Sequence, residues 1–207
     1  MSLVTFKRRA EATHFEGETF DRLDLRSMKA FGSTFKDCMF TDCKMDLADW
    51  RASRFEGCTF TRCEMRLVNF ATSFFEESAF ADCNLEQASF MGSHFTNVTF
   101  GDCRMAYGET LFQDATAKQG LSFYGCNLHG SNLDFRHAEP KALAFSECNL
   151  WGAKMSFGCA FFNATLDDRG KRQFLALVAR VSQDAAVAEM AGDEYAIVMR
   201  AMGGDKG

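Results

Sequence analysis

The residues of this 207-residue chain best equipped for chemistry are nine cysteines, four histidines and a set of closely spaced carboxylates. None of the cysteines forms a C-x-x-C pair, so the zinc-ribbon and dithiol-redox readings fail at their first requirement. In a chain without a visible export signal they are expected to be reduced thiols of a cytoplasmic protein. His14, His94, His129 and His137 are scattered, with no carboxylate or nucleophile at a repeating distance. Acid–base catalysis needs two carboxyl groups facing one pocket. No Gly-rich phosphate loop, serine elbow or metal motif is present in the sequence. The expectation is a protein with no catalytic residue, no bound metal and no cofactor, and hence not an enzyme.

The same residues make sense once the elements that hold them are read. An apolar residue recurs at every fifth position: Phe35, Phe40, Met45, Trp50, Phe55, Phe60, Met65, Phe70, Phe75, Phe80, Leu85, Phe90, Phe95, Phe100 and Met105. Two residues before each stands a small one, as in Ser33, Cys38, Cys43, Ala48, Ser53, Cys58 and Cys63. A period of five cannot stay on one helix face, whereas positions two apart in an extended chain share a face. Each pentapeptide is therefore a short strand followed by a corner. Identities also recur at every twentieth residue, in Ser33/Ser53/Ser73/Ser93, Phe40/Phe60/Phe80/Phe100 and Cys43/Cys63/Cys83/Cys103. Four pentapeptides then close one turn of a four-sided solenoid, with like residues stacked about 4.8 Å apart. The cysteines become small core residues, and the single proline, Pro140, falls outside the regular stretch because each coil must donate backbone hydrogen bonds to the next.

The register continues to Leu166 with two interruptions. Phe123, Cys126, Leu128, Ser131 and Leu133 repeat the types of Phe80, Cys83, Leu85, Ala88 and Phe90, and Phe145, Cys148, Leu150, Ala153 and Met155 repeat them again. About three extra residues are expected within 106–120 and two within 136–141. These are bulges or short loops. The organisation read from this is an N-terminal cap over 1–14, a solenoid of about eight coils over 15–166, roughly 35 to 40 Å long, and a C-terminal helical cap over 167–207. Phe174, Leu177, Val178 and Val181 form one amphipathic stripe, and Tyr195 and Val198 belong to a second. They offer more apolar surface than one solenoid end needs, which predicts a homodimer through these helices.

The run Phe80-Ala81-Asp82-Cys83-Asn84-Leu85-Glu86-Gln87-Ala88-Ser89-Phe90 resembles the pentapeptide-repeat family, whose pattern is written A(D/N)LXX. That resemblance covers about 150 residues and implies a right-handed quadrilateral β-helix, an all-β solenoid. The interrupted register followed by helical segments is similar to the bacterial subgroup of the Qnr quinolone-resistance, MfpA and albicidin-resistance proteins. The subgroup implies a dimer that engages DNA gyrase or another type II topoisomerase, in one view by imitating duplex DNA. The alternative is a structural scaffold, adaptor or effector with another protein partner. Charge bears on the choice. The chain carries a net charge of −5, which argues against direct nucleic-acid binding, and no apolar run is long enough to span a membrane. Asp37, Asp42, Glu56, Glu76, Glu77, Asp82 and Asp102 give an acidic bias that Arg51, Arg54, Arg62 and Arg66 interrupt. Loops inserted into a regular solenoid can recognise a partner without disturbing the ladder. Tyr107, Phe112, Lys118, Arg136, His137 and Pro140 are therefore the expected partner contacts.

Overall fold

A computed structural model describes residues 14–106, 110–133, 135, 137, 142–151, 153–155 and 165–166. Within each pentapeptide the burial alternates as the sequence demands: the central residue points inward and its two neighbours outward, as in Arg54–Phe55–Glu56 and Thr59–Phe60–Thr61. These triplets are the strands. On the first side of the coil lie β1 (His14–Glu16), β3 (Thr34–Lys36), β5 (Arg54–Glu56) and β7 (Phe74–Glu76), each parallel to the next. On the second lie β2 (Thr19–Asp21), β4 (Met39–Thr41), β6 (Thr59–Thr61) and β8 (Ala79–Ala81). The third and fourth sides carry single bridged residues, Asp24–Lys44–Glu64–Asn84–Arg104 and Lys29–Asp49–Asn69–Ser89. Every pairing in these coils joins residues twenty apart, so one turn is four pentapeptides.

Beyond them β9 (His94–Gly101) and β10 (Thr116–Tyr124) run unbroken from the first side to the second, followed by β11 (Asn132–Leu133), β12 (Leu143–Ser146), β13 (Lys154–Met155) and β14 (Thr165–Leu166). The described residues form an all-β parallel solenoid of about six turns with no helix among them. Parts of the eight coils expected over 15–166, among them residues 138–141 and 156–164, lie outside the described residues, as do the cap over 1–14 apart from His14 and the helical stretch expected over 167–207.

Aromatic columns fill the interior. Phe40, Phe60, Phe80 and Phe100 stack with centroids 4.7, 4.6 and 4.6 Å apart and planes within 7°. The stack continues through Phe123 at 5.0 Å and Phe145 at 4.9 Å. The fourth side breaks this regularity where Trp50 meets Phe70 edge-on at 79°. Small residues fill the gaps and also donate hydrogen bonds: Ser73 Oγ bonds the Trp50 carbonyl at 3.0 Å and Cys63 Sγ the Phe40 carbonyl at 3.5 Å, each reaching back to the preceding coil. Cysteine and serine are interchangeable in this role because both are small donors.

Corners hold what the sequence pattern does not announce. The residue two after each central position takes a left-handed conformation, at Asp37, Asp42, Leu47, Arg62 and Leu67 among others, with φ between 50° and 61° at the non-glycine positions. L-residues adopt it at a cost of about 1 kcal/mol or more each, which the pairing of both flanking strands imposes.

Candidate interaction surfaces

A filled interior leaves the outer residues of the four sides and the corners to meet other molecules. Among the described residues no group of three or more His, Cys, Asp or Glu could hold a metal ion. The eight described cysteines are buried. Hydrogen bonding to the neighbouring thiol, together with burial, pushes Cys43, Cys58, Cys103 and Cys148 well above the ordinary thiol range.

The expected partner contacts separate on the structure. Tyr107, Arg136 and Pro140 lie outside the described residues, as do Phe174, Leu177, Val178, Val181, Tyr195 and Val198 of the expected dimer interface. Phe112 is corrected: it is fully buried, stacks on Phe90 at 5.0 Å and continues the Trp50–Phe70–Phe90 column. The offset explains why. Ser89 pairs with Leu111, so the extra residues precede Phe112 and the next coil resumes with Phe112 in a core position. Lys118 is exposed at a bulge, where the register of β9 against β10 shifts between Ala117 and Gln119. The insertion expected within 106–120 is thus divided between two places. His137 is exposed, with Nε2 3.8 Å from an Asp114 carboxylate oxygen.

Charged side chains of adjacent coils meet in pairs. Arg62 grips Asp42 with both arms of its guanidinium at 2.8 and 2.9 Å and holds that carboxyl below the usual range. Arg51 does the same to Asp49 on its own coil, at 2.8 and 2.7 Å. Arg54 bonds Glu76 at 2.7 Å. All four arginines that interrupt the acidic bias are spent in this way, Arg66 meeting Glu86 at 3.5 Å.

The second side differs from the rest. From Met39 to Ser146 its outward residues are Met39, Thr41, Thr59, Thr61, Ala79, Ala81, Thr99, Gly101, Ser122, Tyr124, Ala144 and Ser146, with no charge among them. Exposed Glu77, Asp82, Asp102 and Glu147 stand at the corners that flank its later coils. Glu147 beside the Tyr124 hydroxyl raises the phenol above its ordinary value. Sequence reasoning also missed Phe74, which points outward beside inward Phe75 and stacks on His94 at 4.6 Å. Leu47, Leu67 and Trp151 are likewise exposed. The five-residue phase distinguishes these outward apolar residues from the core ones, since each stands one or two positions off the central column.

Side count, register and core columns define the class: a four-sided parallel β-solenoid. Residues 33–112 match the family model described as the pentapeptide repeat region, so this stretch of the chain is a pentapeptide-repeat region. Two trypsin-treated forms of QnrB1, a plasmid-mediated fluoroquinolone resistance protein, share the fold. One has a TM-score of 0.54 at 16% identity, covering 82% of this chain and 91% of that one. The other has a TM-score of 0.54 at 16% identity, covering 81% and 96%. At that identity the likeness is one of fold. No curated protein matches the chain significantly by sequence.

Proposed function

We infer that the protein is a non-enzymatic binding rod that acts in the cytoplasm as a homodimer joined by its C-terminal segment, and that its partner is a type II topoisomerase. The observation that carries this reading is the uncharged second side with acidic corners along its later coils, a surface suited to a protein that otherwise holds the backbone of duplex DNA. The fold shared with a fluoroquinolone resistance protein supports it. Purified protein added at micromolar concentration to DNA gyrase should alter supercoiling or relieve inhibition by a fluoroquinolone. Unchanged supercoiling and unchanged inhibition would overturn the reading. The dimer is tested by light scattering, where deletion of residues after Asp167 should halve the particle mass.

A second reading, a scaffold or adaptor for another protein, is favoured by the arginines: Arg62 on Asp42 and Arg54 on Glu76 break the acidic surface where a DNA imitation would need it continuous. Duplex DNA separates the two. A topoisomerase bound through its DNA site should lose this protein to competing duplex, whereas a scaffold's partner should keep it.

A further inference from the structure

The outward charges of the first coils alternate in sign along the rod. Pairing stacks Glu16 on Lys36 and Lys36 on Glu56. It stacks Asp24 on Lys44 and Lys44 on Glu64, and Lys29 on Asp49. At the corner after the second side the order is Arg22, Asp42, Arg62, Asp82, and beside the third side it is Arg26, Asp46, Arg66, Glu86. Several of these neighbours touch: Lys36 lies 3.6 Å from Glu16, and Arg66 accepts its place by donating its backbone N–H to Asp46 at 2.9 Å. Where alternation lapses, at Glu56 over Glu76, Arg54 of the adjoining column reaches both carboxylates, at 3.8 and 2.7 Å. Asp82 over Asp102 is the other lapse among these columns.

The core beneath the first two sides does not distinguish one coil from another, although the fourth differs at Ala30, Trp50 and Phe70. Phe40, Phe60 and Phe80 are identical, as are Cys43, Cys63 and Cys83, and Phe35, Phe55 and Phe75. A chain folding on those two sides can skip a coil, or lend a coil to a second chain, and still stack phenylalanine on phenylalanine. The charges respond differently. Skipping one coil sets each residue on the one forty later, which brings Arg22 onto Arg62, Asp42 onto Asp82, Glu16 onto Glu56, Asp24 onto Glu64, Arg26 onto Arg66 and Asp46 onto Glu86. Across the two skips that these pairs describe, six attractions become repulsions, while Lys36 on Glu76 stays attractive and Lys29 on Asn69 and Lys44 on Asn84 become neutral. Like charges directly opposed across a strand pair are unfavourable, whereas a single exposed ion pair adds little to stability. The value of the pattern is therefore in what it forbids. We propose that the alternating columns are a register device, which makes a repetitive core fold with each coil on its immediate neighbour and keeps coils from being exchanged between chains.

The test makes one column uniform and then restores its alternation with the signs exchanged. Asp42→Arg with Asp82→Arg should lower severalfold the yield of refolded protein of the wild-type particle size, the remainder appearing as larger assemblies by light scattering. About 1 M salt, which shortens screening to about 3 Å, should recover that yield. The quadruple variant Arg22→Asp, Asp42→Arg, Arg62→Asp, Asp82→Arg should refold like the wild type in low salt. The proposal is overturned if the double variant refolds to the wild-type particle in full yield. It is equally overturned if the double variant loses only equilibrium stability without forming assemblies, or if the quadruple variant fails as badly as the double one.

Discussion

The coils up to Met105 and those after it are built on the same core but with different discipline outside it. In the first stretch every pairing spans twenty residues; beyond it Ser89 pairs with Leu111, Phe100 with Phe123 and Phe123 with Phe145, offsets of 22, 23 and 22. Yet Phe100 and Phe123 are as parallel as Phe40 and Phe60, both pairs within 7°. Outer chemistry changes with the period: the alternating charges give way to amides, with Asn149 donating to Asn127 at 3.0 Å. The contrast teaches that each coil answers only to its neighbours. Extra residues are accepted wherever they can be expelled at a corner or bulge, provided the next central residue returns to its column.

The sharpest way to break this comparison is to remove a core ring in each region. Phe60 is fully buried and stacked on both sides, against Phe40 and Phe80. Phe60→Ala should cost about 3 to 5 kcal/mol, read as a shift of the urea midpoint. Phe20→Ala, whose ring stacks on Phe40 in the first described coil, should cost less. Phe123→Ala, stacked between Phe100 and Phe145, should match Phe60→Ala if the later coils share the same core. Equal and small effects at Phe60 and Phe20 would contradict the register.

Corner glycines give the next effect. Gly57 and Gly125 sit at φ +61° and +62° beneath the carboxylates of Asp37 and Asp102, where an added Cβ would collide. Gly32, at φ +66°, has open space around the same position. The left-handed conformation alone costs a side chain about 1 to 2 kcal/mol. Gly32→Ala should show that much, and Gly57→Ala and Gly125→Ala should each exceed it. Agreement between Gly57 and Gly125 would establish that corners are alike in both regions; equal costs at all three would show the aspartates swinging aside freely.

A smaller effect follows for the thiols. Cys63→Ser and Cys126→Ser replace one small donor with another facing the carbonyls of Phe40 and Phe100. Each should change stability by no more than about 1 kcal/mol. A larger loss at Cys126 alone would mean that the later coils hold their carbonyls differently.

Much of this was legible in the chain because a period of five and a period of twenty leave only one way to stack Phe, Met, Ser and Cys. The inward columns, the four sides and the two interrupted stretches follow from that arithmetic. Phe112 was misplaced because the extra residues could be counted but not located: the sequence does not say whether insertion precedes or follows a ring. Phe74 was passed over beside Phe75 for a related reason, since a column of rings draws attention away from an aromatic one position out of phase. The left-handed corners were hidden because Asp37, Arg62 and Leu67 carry no common side-chain signature. Which outer face meets a partner is not encoded by the period, which constrains the core and leaves the outside free.

The weakest expected difference between the regions is their response to acid. Arg62 holds the Asp42 carboxyl below its usual range, as Arg51 does for Asp49, and both pairs belong to the coils before Met105. A carboxyl whose folded value lies below its unfolded value of about 4 contributes stability above that unfolded value, and the contribution disappears as pH falls through the folded one. Asn127 and Asn149, which occupy the bridge column of the later coils, do not titrate. Amide protection factors around Met39–Thr61 should therefore decline below about pH 4 more steeply than those around Leu121–Ser146. Asp42→Asn should flatten the first decline while leaving the second unchanged. Because these pairs are exposed, the difference is small, and salt should shrink it further. A decline of the same steepness in both regions, unaltered by Asp42→Asn, would mean that acid acts on the rod as a single unit, with no part for the paired carboxylates of its first coils.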